Sequence, residues 1–152
     1  MTSDPITNDR IRRRLQSVTD HLVDSQQQFQ RISEYLHDEA IKAYFLAESL
    51  RRAEFRTAIE SMFQTKPDHD IKEDGTIVGT LYRAWGELKS HFGGGDFALL
   101  DTAEHGENAA ERAYKRTLEK ELPLHVRQLL LTQLTHIQKS HDYIRAEREG
   151  RK

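Results

Sequence analysis

The apolar positions of this chain recur at three- and four-residue steps in four long stretches, the spacing of helices with one buried face. The clearest runs from Asp96 to Lys120, where Leu100, Ala103, Glu107, Ala110, Tyr114 and Leu118 share a face that is apolar except for one carboxylate in its middle. Asp96 follows three glycines and suits a helix start, and Pro123 stands just beyond the end. From Asn8 onward, Ile11, Leu15, Val18, Leu22, Phe29, Ile32 and Leu36 mark another stripe, interrupted at Ser25 and Gln26. That stripe is apolar at both ends and polar at its waist. His37-Asp38-Glu39 breaks it, and Asp38 suits the N-cap of a second helix. There the stripe is Ile41, Tyr44, Phe45, Glu48, Phe55, Ile59 and Met62, again with a carboxylate near the middle. Past the tight turn Glu121-Leu122-Pro123, a last helix to about Glu147 turns Val126, Leu130, Leu134, Ile137, His141 and Ile144 inward, with Gln133 and His136 at its waist.

The stretch between the second and third long helices is different. Thr65–Gly75 reads as a loop, and His69 between Asp68 and Asp70 as a solvated residue, because no further ligand is fixed nearby. Thr76–Phe92 predicts a shorter amphipathic helix with Ile77, Leu81, Trp85 and Leu88 on one side, Trp85 being a packing anchor. The glycines at 93–95 are no phosphate loop, since no strand precedes them and no Lys-Ser/Thr follows. Each long helix, at about 25 residues, spans about 38 Å at 1.5 Å per residue. Short turns make the first and last pairs antiparallel hairpins, and the thirty or so residues between the pairs can travel that length. The expectation is an all-α, ferritin-like four-helix bundle with a long crossover containing a fifth, shorter helix. It forms one domain over residues 1–152, with its core at about 8–148.

Composition fits this. Charged residues are 32% of the 152 and hydrophobic ones 36%, normal for helices wet on one face, and three prolines leave long helices unbroken. The net charge of −2 is spread along the chain and suggests neither nucleic acid nor membrane as partner. The exception, the run Arg10, Arg12, Arg13 and Arg14, reads as the solvated start of helix one. With no cysteine there is neither a disulfide framework nor a thiol catalyst. No run of about 18 apolar residues and no apolar secretion signal is present, so a soluble, cytoplasmic protein is expected. A homo-oligomer is compatible with all of this, and the sequence names no protein partner.

The candidate chemistry lies at the waist. A first turn centred on His37 puts Gln27 beside Glu48 and Asp24 beside Arg51. A second centred on Glu121 and Leu122 puts Glu107 beside His136, Glu111 near Gln133, and Glu104 near Ser140 and His141. In di-metal four-helix bundles two helices each give a Glu and the other two a Glu-x-x-His. Here the corresponding places hold Gln27, Glu48-x-x-Arg51, Glu104-x-x-Glu107 and Gln133-x-x-His136. Gln brings no charge, and a guanidinium has no lone pair to give a metal. Arg51 can instead pair with Asp24 or Glu48 and neutralise the waist as a metal would. One reading is therefore an ion-paired polar core with no catalytic residue and no cofactor. The other is a metal centre for iron or manganese on Glu48, Glu104, Glu107 and His136, within a waist completed by Gln27, Arg51, Gln133 and His141. Gly106, among Ala103, Ala109, Ala110 and Ala113, reads as a place where a neighbouring helix comes close.

The succession FLAESLRRAEF, LYRAWGELKSHFGGGD, LLDTAEHGENAAERAYKRTLEKELP and SHDYIRAER resembles a bacterial ferritin-like four-helix-bundle family catalogued as a domain of unknown function. The resemblance spans about residues 11–148. Its most specific parts are Trp85, the Gly-Gly-Asp at 94–96, Glu104-x-Gly106-Glu107 and His141-Asp142. It implies the fold and a bacterial origin and brings no activity. Asp24-Ser25-Gln26 departs from the family's usual Asp-Gly-Glu before the aromatic. The function expected is a non-catalytic helical bundle with a degenerate di-metal site, stress-associated or partner-binding; the alternative is a divergent metal-binding or oxidoreductive protein.

Overall fold

A computed structural model describes residues 8–63 and 95–151. Among the described residues there are four helices and no strand: α1 Asn8–Ser33, α2 Glu39–Ser61, α3 Asp96–Leu118 and α4 Leu124–Glu149. They are the four predicted from periodicity, the last two residues longer than expected. The short helix expected over 76–92, with Trp85, and the residues His69, Gly93 and Gly94 lie outside the described residues. No described helix is long and apolar enough to cross a membrane.

Local chemistry sets the ends. Asp38 caps α2 as expected, its Oδ1 accepting from the Ile41 N–H at 3.1 Å. Asp96 does not cap α3: Gly95 holds the N-cap place, and Asp96 is already helical. Its carboxylate reaches instead to the α1–α2 turn, accepting from the backbone N–H of His37 at 2.9 Å and of Asp38 at 3.0 Å. Burial by itself would raise the Asp96 pKa, but these donors and the His37 ring outweigh it and hold it below the ordinary value. Asp96 thus straps the start of α3 to the other hairpin.

Contacts at the ends also fix direction. Arg14 at the start of α1 donates to the Glu121 carbonyl in the α3–α4 turn. Arg151 past the end of α4 donates to Asp38 at 2.7 Å, at the start of α2. So α2 and α3 begin at the same end, where α1 and α4 finish, and α2 stops at the end opposite to where α3 starts. α1 packs against α2 and α3, and α3 against α4, whereas α2 and α4 meet more sparsely.

Two apolar clusters, each drawn from all four helices, form the core. One gathers Leu15, Val18, Ile59, Tyr114, Val126 and Leu130 among others; the second gathers Phe29, Ile32, Phe45, Leu99, Leu100 and Ile144 among others. Between them the buried side chains turn polar, as the interrupted stripe of α1 foretells: Ser25, Glu48, Ser49, Arg52, Glu107 and Gln133. Phe29 meets Phe45 edge-on at 5.0 Å between centroids, and Tyr44 stacks on Tyr143 at 3.8 Å. What comes close to Gly106 is the end of a side chain from α1. A Cβ there would lie 2.2 Å from Oε1 of Gln28 on α1.

Leu100 is 0% exposed, and Arg13 lies on the outside of α1. Leu100→Asp should therefore lower stability by more than about 4 kcal/mol, and Arg13→Ala should stay within about 0.5 kcal/mol. Denaturant unfolding of the two variants checks this; comparable midpoints would contradict the assignment of faces.

Candidate functional site

Glu48 and Arg52 lie four residues apart on the inward side of α2, one turn below Phe45. Glu107 sits at the middle of the buried face of α3, 1% exposed. The packing of α1 between α2 and α3 brings these three together. Arg52 is 0% exposed and holds Glu107 in a two-pronged pair, Nη1 to Oε1 at 2.7 Å and Nη2 to Oε2 at 2.8 Å. Nη2 also donates to Oε2 of Glu48 at 3.1 Å. The guanidinium lies 4.9 Å from the ring centroid of Phe29, so an aromatic face from α1 closes its other side. Burial works against the Arg52 charge, but the two carboxylates outweigh it and raise the pKa above its ordinary value. Fork geometry is what arginine offers here: a lysine has one charged nitrogen and could not match both oxygens of Glu107.

The remaining oxygen of Glu48 faces α4, where Nε2 of His136 approaches Oε1 at 2.7 Å. The His136 side chain is 31% exposed and packs edge-on to Phe55, so it joins the buried cluster to the surface. Beside the cluster the Tyr114 hydroxyl donates to Oε1 of Gln133 at 2.7 Å, and the Gln133 amide donates to the Phe55 carbonyl at 3.1 Å. Burial raises the Tyr114 pKa, so this phenol remains a donor.

A second polar group lies between α3 and α4. His141 has a carboxylate at each ring nitrogen, Glu111 at 2.6 Å from Nδ1 and Glu104 at 3.2 Å from Nε2. Arg145 Nε donates to Glu104 at 3.3 Å, and Arg148 Nη1 lies 2.8 Å from its other oxygen. Burial pushes the Glu104 pKa up, and His141, Arg145 and Arg148 more than offset that, leaving it below the ordinary value.

The sequence-derived residues thus divide between two groups. Glu48 and Glu107 meet at Arg52, with His136 on the far oxygen of Glu48, whereas Glu104 and His141 join Glu111 and two arginines. Gln133 is at the waist as expected, with Tyr114 as its partner. Gln27 does not reach Glu48, and its Oε1 is buried without a partner. Arg51 is corrected outright: it is exposed, and Arg52 is the buried cation. From Phe45 the steps to Glu48 and Arg52 stay on one face, and Arg51 lies 100° off it; that continued spacing was the available signal. His136 meets Glu48 rather than Glu107, and Glu111 meets His141 rather than Gln133. Helical side chains lean toward their own N-terminus, so α3 residues reach away from the turn while α4 residues reach toward it. Glu104 does approach His141 as expected, at 3.2 Å, whereas the Glu111–His141 contact is displaced from the level pairing in the direction this lean gives.

Chemically, the arrangement neutralises buried charge and ties α2 to α3 and α4. Among the described residues no three His, Asp or Glu side chains gather as a group that could hold a metal ion. At His141 the two carboxylates approach opposite ring nitrogens, so they do not face a common point.

Replacing Arg52 with Met should cost about 3–5 kcal/mol, because Glu48 and Glu107 would remain buried without their cation. Arg51→Met should stay within about 0.5 kcal/mol, and equal unfolding free energies for the two would contradict the assignment. Asp24 supplies a pH test. Its Oδ1 is buried without a partner, and burial, with Asp20 nearby, raises its pKa from 3.8 to about 7. The folded state therefore binds the proton more tightly than the unfolded one, so Asp24 lowers stability as pH rises from about 4 to about 7. Asp24→Asn should raise Tm above about pH 7 and leave it unchanged below about pH 4; a pH-independent difference between the two proteins would contradict this.

Comparison with curated proteins finds no match. The family described as "Domain of unknown function (DUF2383)" matches residues 10–120, which takes in α2, nearly all of α1, all of α3, and both buried carboxylates that hold Arg52. With nearly three quarters of its length so matched, the chain belongs to the DUF2383 family.

Proposed function

We propose that this protein is a non-catalytic, ferritin-like helical bundle in which a guanidinium stands where related architectures place a metal ion. Two antiparallel hairpins whose connected ends lie at opposite ends of the packing support the ferritin-like reading, since such an order requires a long crossover. The observation that carries the proposal is the commitment of Arg52 to Glu107 and Glu48 at 2.7–3.1 Å with 0% exposure. In a metal-dependent waist those carboxylate oxygens would be turned toward the ion. Here the arginine supplies the neutralising charge, and the bundle is held without a cofactor. Its cellular role is then that of a stress-associated or partner-binding scaffold acting through its surface.

The second reading is a divergent metal-binding or oxidoreductive protein using Glu48, Glu104, Glu107 and His136 with iron or manganese. What favours it is that three of the four are connected at one level across three helices, His136 to Glu48 and Glu48 through Arg52 to Glu107. To bind an ion there, Arg52 would have to leave.

Protein purified under metal-replete conditions distinguishes the two by elemental analysis and thermal melts with added iron or manganese. Our reading predicts no stoichiometric metal and no metal-dependent rise in Tm. It also predicts that Glu107→Ala loses about 3–5 kcal/mol with or without metal, because Arg52 would keep only one carboxylate. Two tightly held equivalents per chain, lost in Glu107→Ala, would overturn it in favour of the second reading.

A further inference from the structure

Along the sequence the run from Arg10 to Arg14 stands alone; in the fold it does not. α1 and α3 are antiparallel neighbours, and Arg14 reaches the carbonyl of Glu121. The run therefore lies beside the C-terminal half of α3, where Arg112, Lys115, Arg116 and Lys120 are all exposed. The end of the molecule formed by residues 8–22, 55–63 and 111–131 carries ten Lys and Arg against six Asp and Glu. Three of those acids are engaged already, Asp9 by Arg12 and Glu60 by Arg56, each within this end, and Glu111 by His141. At the other end, residues 23–54, 95–110 and 132–151, thirteen acids face eight bases. Among the described residues, then, one end is net positive and the other net negative. At the positive end Leu124, the first residue of α4, is 69% exposed.

We propose that this basic end docks on an anionic phospholipid surface, with the helices standing away from it. Charge separation along the helices gives the orientation, because the surface attracts one end and repels the other. Each Lys or Arg close to such a surface strengthens binding by about fivefold, and the attraction decays within a Debye length of about 8–10 Å. Leu124 stands among these charges, where its side chain can enter the headgroup boundary. A nucleic-acid duplex would use the basic residues alone and leave Leu124 without a role. Docking by one end needs no spanning helix, and none of the described helices is apolar enough to span.

Co-sedimentation of the full chain with phosphatidylcholine vesicles, with and without phosphatidylserine, is the test. Binding should require phosphatidylserine and weaken with salt. Lys115→Glu with Arg116→Glu should reduce it by more than about 25-fold, at about fivefold or more per residue. Leu124→Ser should weaken binding while leaving its salt dependence unchanged. Lys139→Glu, exposed at the opposite end, should have no effect, and unchanged melting temperatures would show that all variants fold. Binding that ignores phosphatidylserine, or that survives the double charge reversal, would overturn the proposal. So would displacement of the vesicles by a DNA or RNA duplex with affinity indifferent to Leu124→Ser, which would assign the surface to nucleic acid.

Discussion

The structure depends on how a charge is kept in the middle of four packed helices. An unpaired carboxylate at the Glu107 position would cost several kcal/mol, and so would an unpaired guanidinium at Arg52. Together, with Glu48 and the Phe29 ring, they satisfy each other, and neither is tolerable without its partners. Such a cluster adds less net stability than a well-packed apolar core of the same volume. What it adds is placement. A two-pronged bond between α2 and α3 tolerates little sliding, so it sets the level at which helices joined through α1 meet.

The rest of the fold is arranged around that level. Apolar clusters above and below it supply the burial that drives folding, and they are separate because the waist between them is polar on every helix. His136 extends the central pair to the surface of α4, and the Tyr114–Gln133–Phe55 bonds close the flank. The His141 group ties α3 to α4 by a second route, and Asp96 ties the hairpins at one end. Polar tethers thus occur at the turn, the waist and the flank, each with its charge answered locally.

Much of this was legible in the sequence, and the limits have physical causes. Three- and four-residue spacing located all four described helices, and the interrupted α1 stripe with the lone Glu107 on α3 announced a polar waist. That Glu107 needs an answering group follows from desolvation alone. Which arginine answers it does not follow from proximity: Arg51 and Arg52 are adjacent in sequence but 100° apart around the helix, and only Arg52 continues the inward face. Across α3 and α4 the spacing did bring Glu104 to His141, but Glu111 meets His141 rather than Gln133, since side-chain lean displaces contacts from the level pairing and backbone spacing does not report it. Asp96 looked like a cap because caps are local, whereas its real partners lie almost sixty residues away at His37 and Asp38. The convergence of two basic stretches at one end is equally invisible until α1 is laid beside α3.

Anomalous X-ray diffraction from crystals of metal-replete protein, measured at the iron and manganese absorption edges, examines the central claim at the atoms concerned. The account predicts no anomalous peak at the waist and continuous electron density for the Arg52 guanidinium against both oxygens of Glu107. A peak lying between Glu48 and Glu107, with Arg52 turned away from them, would contradict it.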